Sequence, residues 1–529
     1  MTMINRRQVL TGAAALSVSS HISAPALAQG SAKVLRYVPS ANLPNPDPIW
    51  VNAAVAIAHG YMVWDTLFGV DNKLVSQPQM CSGYDLSSDQ LSWTMSLRDG
   101  LRFHDGEPVR AADCVASIRR WSAREPLGQA LAAAINEMSA VDDRRFQLRL
   151  KTPFRQMLFA LGARNCFIMP ERIAKTSPFQ PVKEYVGSGP FRFVPAEWNA
   201  GARVVYARND AYQPRQEAPS YFAGGKVVHF DRVEWTIQPE ASVAAAALTA
   251  GEIDWVETPL FDLLGSLKAS RDVVVRVTNP FGWLGGLRFN QLQPPFDNPK
   301  LRRALLPAID QGDFLASTLG DMTEYGTVPV GVFPSHSNMA NATGLEVLTG
   351  KRDLIKAKSL IKESGYSGEP VVLLTAQDYQ PVHAMGLVAQ ALLQQLGLNV
   401  QVSDTDYGTL VARIAKKEPV SEGGWSCTAL TFAGFTADNP GSSFILRGNG
   451  PGSWFGWPTD AKLEELRQQW LDAPDLAAQK AVASAVQTEA FESVPYIPLA
   501  GWRAPVAYSK RLSGVLEAPA TVFWNVRRA

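Results

Sequence analysis

Residues 352–402 constrain the fold more tightly than any other stretch. Over 353–364, Leu354, Ala357, Leu360 and Ile361 recur at helical spacing, and Gly365 follows as a stop signal. Residues 371–375 form an apolar run with strand character. Residues 383–396 read as a second helix closed by Gly397, and 398–402 as a further strand. Strand, helix and strand of these lengths make a βαβ unit, which demands two parallel strands and helices covering the sheet. The fold class is therefore α/β. A chain of 529 residues also exceeds what one hydrophobic core serves, so two or three domains are expected.

Residues 86–121 carry a second pattern. Leu91, Trp93, Met95 and Leu97 alternate with Ser92, Thr94, Ser96 and Arg98, the period of a half-buried strand. Asp99-Gly100 is a turn signal, because glycine reaches the positive φ of a tight turn. Residues 101–104 then read as a short return strand. Asp105-Gly106 makes another turn, and Pro108 bars simple continuation of the sheet. Asp113 is placed to N-cap a helix whose apolar face is Cys114, Ile118 and Trp121.

The fixed positions of that stretch resemble the signature of the family 5 solute-binding proteins of ABC importers, the oligopeptide, dipeptide and nickel group. They are Asp89, Leu97-Arg98, Asp99-Gly100, Phe103-His104-Asp105-Gly106, Pro108 and Ala112-Asp113. Asp47-Pro48, Trp64-Asp65, Gly187-Ser188-Gly189-Pro190 and Asn209-Asp210-Ala211-Tyr212 are similar to other family segments. So are Gly251-Glu252-Ile253-Asp254, the Pro299-led helix ending at Ile309-Asp310, and Pro495-Tyr496-Ile497-Pro498-Leu499. The resemblance implies a two-lobed periplasmic-binding-protein fold of type II, with hinge-joined lobes and an extra inserted domain. Lobe I would comprise 29–60, 182–278 and 488–529, the inserted domain 61–181, and lobe II 279–487. It further implies a monomer without cofactor that captures a peptide or small-molecule ligand. The partners would be ABC transporter permease subunits, with ATPase subunits on other chains.

Residues 1–28 read as an export signal. Arg6 and Arg7 precede a short Ser/Ala-rich segment, and Ala26-Leu27-Ala28 offers a small-x-small cleavage site. The paired arginines resemble a twin-arginine signal, with a Sec signal as the alternative, and either would deliver the protein to the periplasm. A formal net charge of +1 leaves no electrostatic footprint for nucleic acid. Cys81, Cys114, Cys166 and Cys427 form no CxxC and lie near no histidine at zinc spacing, so neither a metal site nor a disulfide is assigned.

Catalytic patterns are weak. Ser359-Leu360-Ile361-Lys362 fits an S-x-x-K string, the basis of a remote alternative as an exported Ser hydrolase, but Ser359 falls in mid-helix rather than at a helix start. Gly225-Lys226 and Gly350-Lys351 lack the Ser/Thr of a P-loop. The segment expected to face a ligand is 423–444. There the resemblance matches Trp425, Pro440 and Phe444, and in the family's peptide binders an Asp four residues before that Pro pairs with the peptide's α-amino group. Here that position is Thr436, and the nearest acid is Asp438. Either Asp438 replaces it, or the ligand has no free α-ammonium and is an opine, an oligosaccharide or a metal chelate; for Asp438 a turn before Asn439-Pro440 is the plainer role. Asn42, in the loop after the first strand, is a further candidate contact, with a surface turn as its alternative.

Overall fold

Two mixed sheets and a smaller antiparallel one form the framework of the protein. They are seen in a computed structural model that describes residues 33–51 and 53–529. Arg6, Arg7 and Ala28 lie outside the described residues. Residues Lys33–Ala529 form one unit.

The first sheet has seven strands in the order Val273–Arg276, Val506–Ser509, Trp255–Val256, Val34–Val38, Arg232–Thr236, Arg203–Arg208, Phe191–Phe193. Val34–Val38 runs parallel to both of its neighbours. It is central because Leu35 and Tyr37 are both buried, Tyr37 edge-on to Trp255 and Phe523. The second sheet has six strands in the order Gly326–Thr327, Tyr496–Trp502, Trp283–Phe289, Cys427–Ala433, Pro370–Ala376, Asn399–Thr405. Pro370–Ala376 and Asn399–Thr405 pair in parallel, with helix Gln380–Gln395 between them in the chain. The βαβ unit is therefore present, its helix starting earlier than expected because Pro381 suits a first helical turn.

Two expected boundaries fall elsewhere. Tyr496–Trp502, placed in lobe I from sequence, pairs with Trp283–Phe289 in the second sheet, Trp502 opposite Trp283. All seven of its residues are buried, and lobe I takes the chain back only at Val506–Ser509. A buried apolar strand suits either sheet equally, so its local pattern does not assign it. The boundary at residue 61 falls inside the buried helix Ala54–Val63. The chain consequently passes between the two large sheets at 277–282 and again at 503–505.

The inserted sheet is Cys81–Leu86, Ser92–Leu97, Arg145–Leu150, Ile135–Ala140. Trp93, Met95 and Leu97 face its core as their alternation predicts. Residues 101–104 form no strand; Arg102 makes a single bridge to Pro108, and Ser92–Leu97 pairs instead with Cys81–Leu86 and Arg145–Leu150. Arg110, not Asp113, is the N-cap of helix Ala111–Ser122; Asp113 sits in the first turn and accepts from the Arg110 N–H at 2.7 Å. Cys114, Ile118 and Trp121 are buried on one face.

The recognisable motifs meet at the junction of this domain with lobe I. The Gly187 N–H donates to His104 Nδ1 at 3.2 Å, which leaves Nε2 to donate to the Gly189 carbonyl at 3.1 Å. Asn209 donates to that same carbonyl at 3.0 Å, and Tyr212 donates to Asp65 at 2.7 Å. Lys226 closes the buried cluster on Asp65 at 2.7 Å, holding that carboxyl below its usual range against the effect of burial. Gly187 must be glycine, because a Cβ there would lie 1.8 Å from the Val63 carbonyl oxygen.

Candidate functional site

A cavity opens where the chain passes between the two large sheets. Thr278 and Asn279 from one crossing and Ala504 from the other line it, together with residues of the inserted domain and of the loop after Cys427–Ala433. Three backbones approach closely beside it. A Cβ on Gly282, which has φ +58°, would lie 2.1 Å from the Trp502 carbonyl oxygen. One on Gly434 would lie 2.2 Å from that of Phe281. The cavity has a volume of about 110 Å³.

Its walls combine aromatic rings with hydroxyl, amide and charged side chains. Phe222, Trp283, Phe435 and Phe444 supply the rings. The ionisable groups are Glu125, Arg164 and Glu257. Arg164 follows helix Met157–Ala163 of the inserted domain and is nearly fully buried. It donates to the Phe435 carbonyl and to the Asp438 carboxylate, and its guanidinium lies 4.5 Å from the Phe435 ring centre. Glu257 accepts from the Ser40 N–H at 2.8 Å and from the Thr521 hydroxyl at 2.5 Å, one on each oxygen. Glu125 is the N-cap of helix Pro126–Ala134 and accepts from the Gly128 N–H at 2.8 Å. Glu125 lines the cavity and is half-buried. Burial pushes its carboxyl up to about 7, with Arg164 and the helix-start N–H groups pulling the other way.

Of the four residues singled out from sequence, Thr436 lines the cavity. Its hydroxyl donates to the Ala433 carbonyl at 2.8 Å and stays partly open. Asp438 does not line the cavity. Its carboxylate takes Arg164, Asn439 and Ser442 on one oxygen, and burial raises it while Arg164 opposes the rise. Trp425 is fully buried beside Trp457. Asn42 accepts the Gly201 N–H at 2.8 Å and pins a neighbouring turn, while Ser40 of the same loop reaches the cavity. Glu125, Arg164, Glu257 and Trp283 escaped sequence reasoning. Only Glu125 left a trace, as an acid directly before a helix-starting proline.

Ser359 is exposed and donates to Glu363 at 2.9 Å, with no lysine bonded to its hydroxyl. Among the described residues no cluster of His, Cys, Asp and Glu could hold a metal, and all four cysteines are buried and unbridged. Among the same residues no helix is long and apolar enough to cross a membrane.

The model of the bacterial extracellular solute-binding proteins, family 5 Middle, matches residues 76–453. A probable peptide ABC transporter periplasmic-binding protein of Sinorhizobium fredii is 37% identical over 99% of this chain and 100% of its own length. A glutathione-binding protein of Escherichia coli K12 is 26% identical, covering 91% of each. Among solved structures, a dipeptide-binding protein of Pseudoalteromonas in complex with Met-Leu superposes with TM-score 0.78 at 21% identity, over 94% of this chain and all of that one. A periplasmic binding protein of A. tumefaciens R10 in complex with agropinic acid gives 0.77 at 20% identity, over 94% of this chain and 99% of the other.

Proposed function

The chain belongs to the family 5 bacterial extracellular solute-binding proteins, and from that premise we propose that it captures a peptide or peptide-like solute between its lobes and hands it to a membrane permease. Proteins of this family bind and do not catalyse, so the hydrolase alternative on Ser359 falls away. The observation that carries the peptide reading is the cavity itself, which combines four aromatic rings with charged groups from two carboxylates and one arginine. The names of the Sinorhizobium and E. coli relatives point the same way. Thr436 contributes its hydroxyl to the solute, whereas Asp438, Trp425 and Asn42 act in the framework.

In this account the chain works as a periplasmic monomer exported by the twin-arginine route, and its permease is driven by ATPase subunits on other chains. Rotation about 277–282 and 503–505 opens and closes the cavity, and the closed form presents the surface a permease recognises. Thr436 in place of the amine-binding Asp keeps one rival open, an opine-like solute in the same cavity. Calorimetric titration with trialanine, glutathione and octopine decides between them. Saturable one-to-one binding of a peptide, with none of octopine, is expected. Binding of octopine alone, or peptide affinity that arises only in Thr436→Asp, would transfer the function to the rival.

A further inference from the structure

Four charged groups stand in or beside the cavity, and three of them are bonded to a protein side chain. Glu257 has one protein donor on each oxygen. Asp438 is engaged by Arg164, Asn439 and Ser442 and does not reach the cavity surface. Arg164 spends its two terminal nitrogens on Asp438 and the Phe435 carbonyl. Glu125 differs. The Gly128 N–H occupies Oε2, and among the described residues no side chain donates to Oε1. A carboxylate oxygen left open inside a mostly apolar cavity is costly unless something charged or hydrogen-bonding meets it.

We infer that Glu125 is the anionic anchor for an ammonium group of the solute, taking over the role that an acid at position 436 would otherwise fill. The inference rests on the solute-binding reading of the same cavity and narrows its ligand class to primary amines. Glu125 is well placed for this. The helix it caps presses against lobe II, where a Cβ on Gly441 would lie 2.9 Å from Leu127 and 2.7 Å from Trp470. A solute amine held at Glu125 therefore sits at the seam between the inserted domain and lobe II, and binding there favours the closed form. Desolvation already pushes the Glu125 carboxyl up to about 7, opposed by Arg164 from the segment after helix Met157–Ala163 and by Arg467 from helix Ala461–Asp472. An ammonium beside it restores the ionised form, so binding below neutral pH releases a proton.

The test is a calorimetric titration of the full chain and of Glu125→Gln with trialanine, glutathione and arginine, each with a free or an acetylated amine. The Gln variant keeps a side-chain oxygen for the Gly128 N–H, and acetylation probes the same contact with the unaltered protein. At least one free amine should bind the parent one to one. Glu125→Gln and acetylation should each weaken it by at least about 30-fold, and the two together no further than either alone. Equal affinity of parent and variant, or of free and acetylated solute, overturns the inference and leaves the peptide reading standing. Amine-dependent binding of arginine without any peptide does the reverse. A parent that binds no free amine removes both.

Discussion

Replacing Asp438 by Asn asks whether this carboxylate holds the lobes together or serves the solute. Asp438 is 3% exposed, and Arg164, 4% exposed, reaches it from the inserted domain. Asparagine keeps an oxygen for the Arg164 N–H, so a hydrogen bond survives while the charge is lost. Removing one partner of a buried ion pair costs about 3–5 kcal/mol; burial already raises the Asp438 carboxyl and a hydrogen bond is retained, so the expected loss falls below that range, at about 1–2 kcal/mol. Arg164→Met leaves the opposite charge stranded and also deprives the Phe435 carbonyl of its donor, so the larger loss of about 3–5 kcal/mol is expected. The double variant strands no charge, and its loss should fall short of the two single losses added together by at least about 2 kcal/mol. Urea unfolding followed by tryptophan fluorescence gives the four stabilities, and calorimetry gives solute affinity for each protein. Single losses below about 1 kcal/mol that simply add would refute the latch. So would an Asp438→Asn protein of unchanged stability that no longer binds.

Gly282→Ala puts a Cβ 2.1 Å from the Trp502 carbonyl oxygen at φ +58° and should cost at least about 2 kcal/mol, whereas Gly106→Ala, also at positive φ but with nothing within 4 Å, should cost only the backbone penalty of about 1 kcal/mol; equal losses in thermal unfolding would remove the close approach as a cause. Glu125 has its folded value raised from 4.5 to about 7, so its contribution is intact below pH 4.5 and is lost as pH rises through 7. Glu125→Gln should therefore stabilise the solute-free protein at pH 8 by about 2–3 kcal/mol and hardly at all at pH 4.5; a pH-independent difference would contradict this. His104 has its folded value lowered from 6.5 to about 4 by burial. It therefore works in the opposite direction, and stability falls by about 2 kcal/mol on its account between pH 7 and 5. Urea midpoints of parent and His104→Gln should converge as pH falls, and parallel curves would show that His104 takes up its proton without strain.

The sequence exposed local structure well and long-range assembly poorly. The βαβ unit at 352–402 was legible because amphipathic spacing and glycine stops are local properties. The motif around Phe103-His104-Asp105-Gly106 was legible as a motif, and the structure gives its purpose: His104, Gly187, Gly189, Asn209, Tyr212, Asp65 and Lys226 form one buried cluster at a domain junction. Strand Tyr496–Trp502 was recognised but put in the wrong sheet, because partner choice depends on residues some 210 positions away. The site was the least visible part. Trp425 and Thr436 lie in the same segment, yet one is core and the other faces the cavity. Glu125 and Arg164 become site residues only when the inserted domain meets lobe II, a contact that no local spacing announces.

Native mass spectrometry of the protein purified from its own host under non-denaturing conditions tests the central claim most directly. One solute per chain is predicted, of peptide character, carrying a primary amine that an acylating reagent labels after release, and absent from Glu125→Gln prepared in the same way. A co-purified solute without peptide character, such as an amine-free oligosaccharide, would contradict the account.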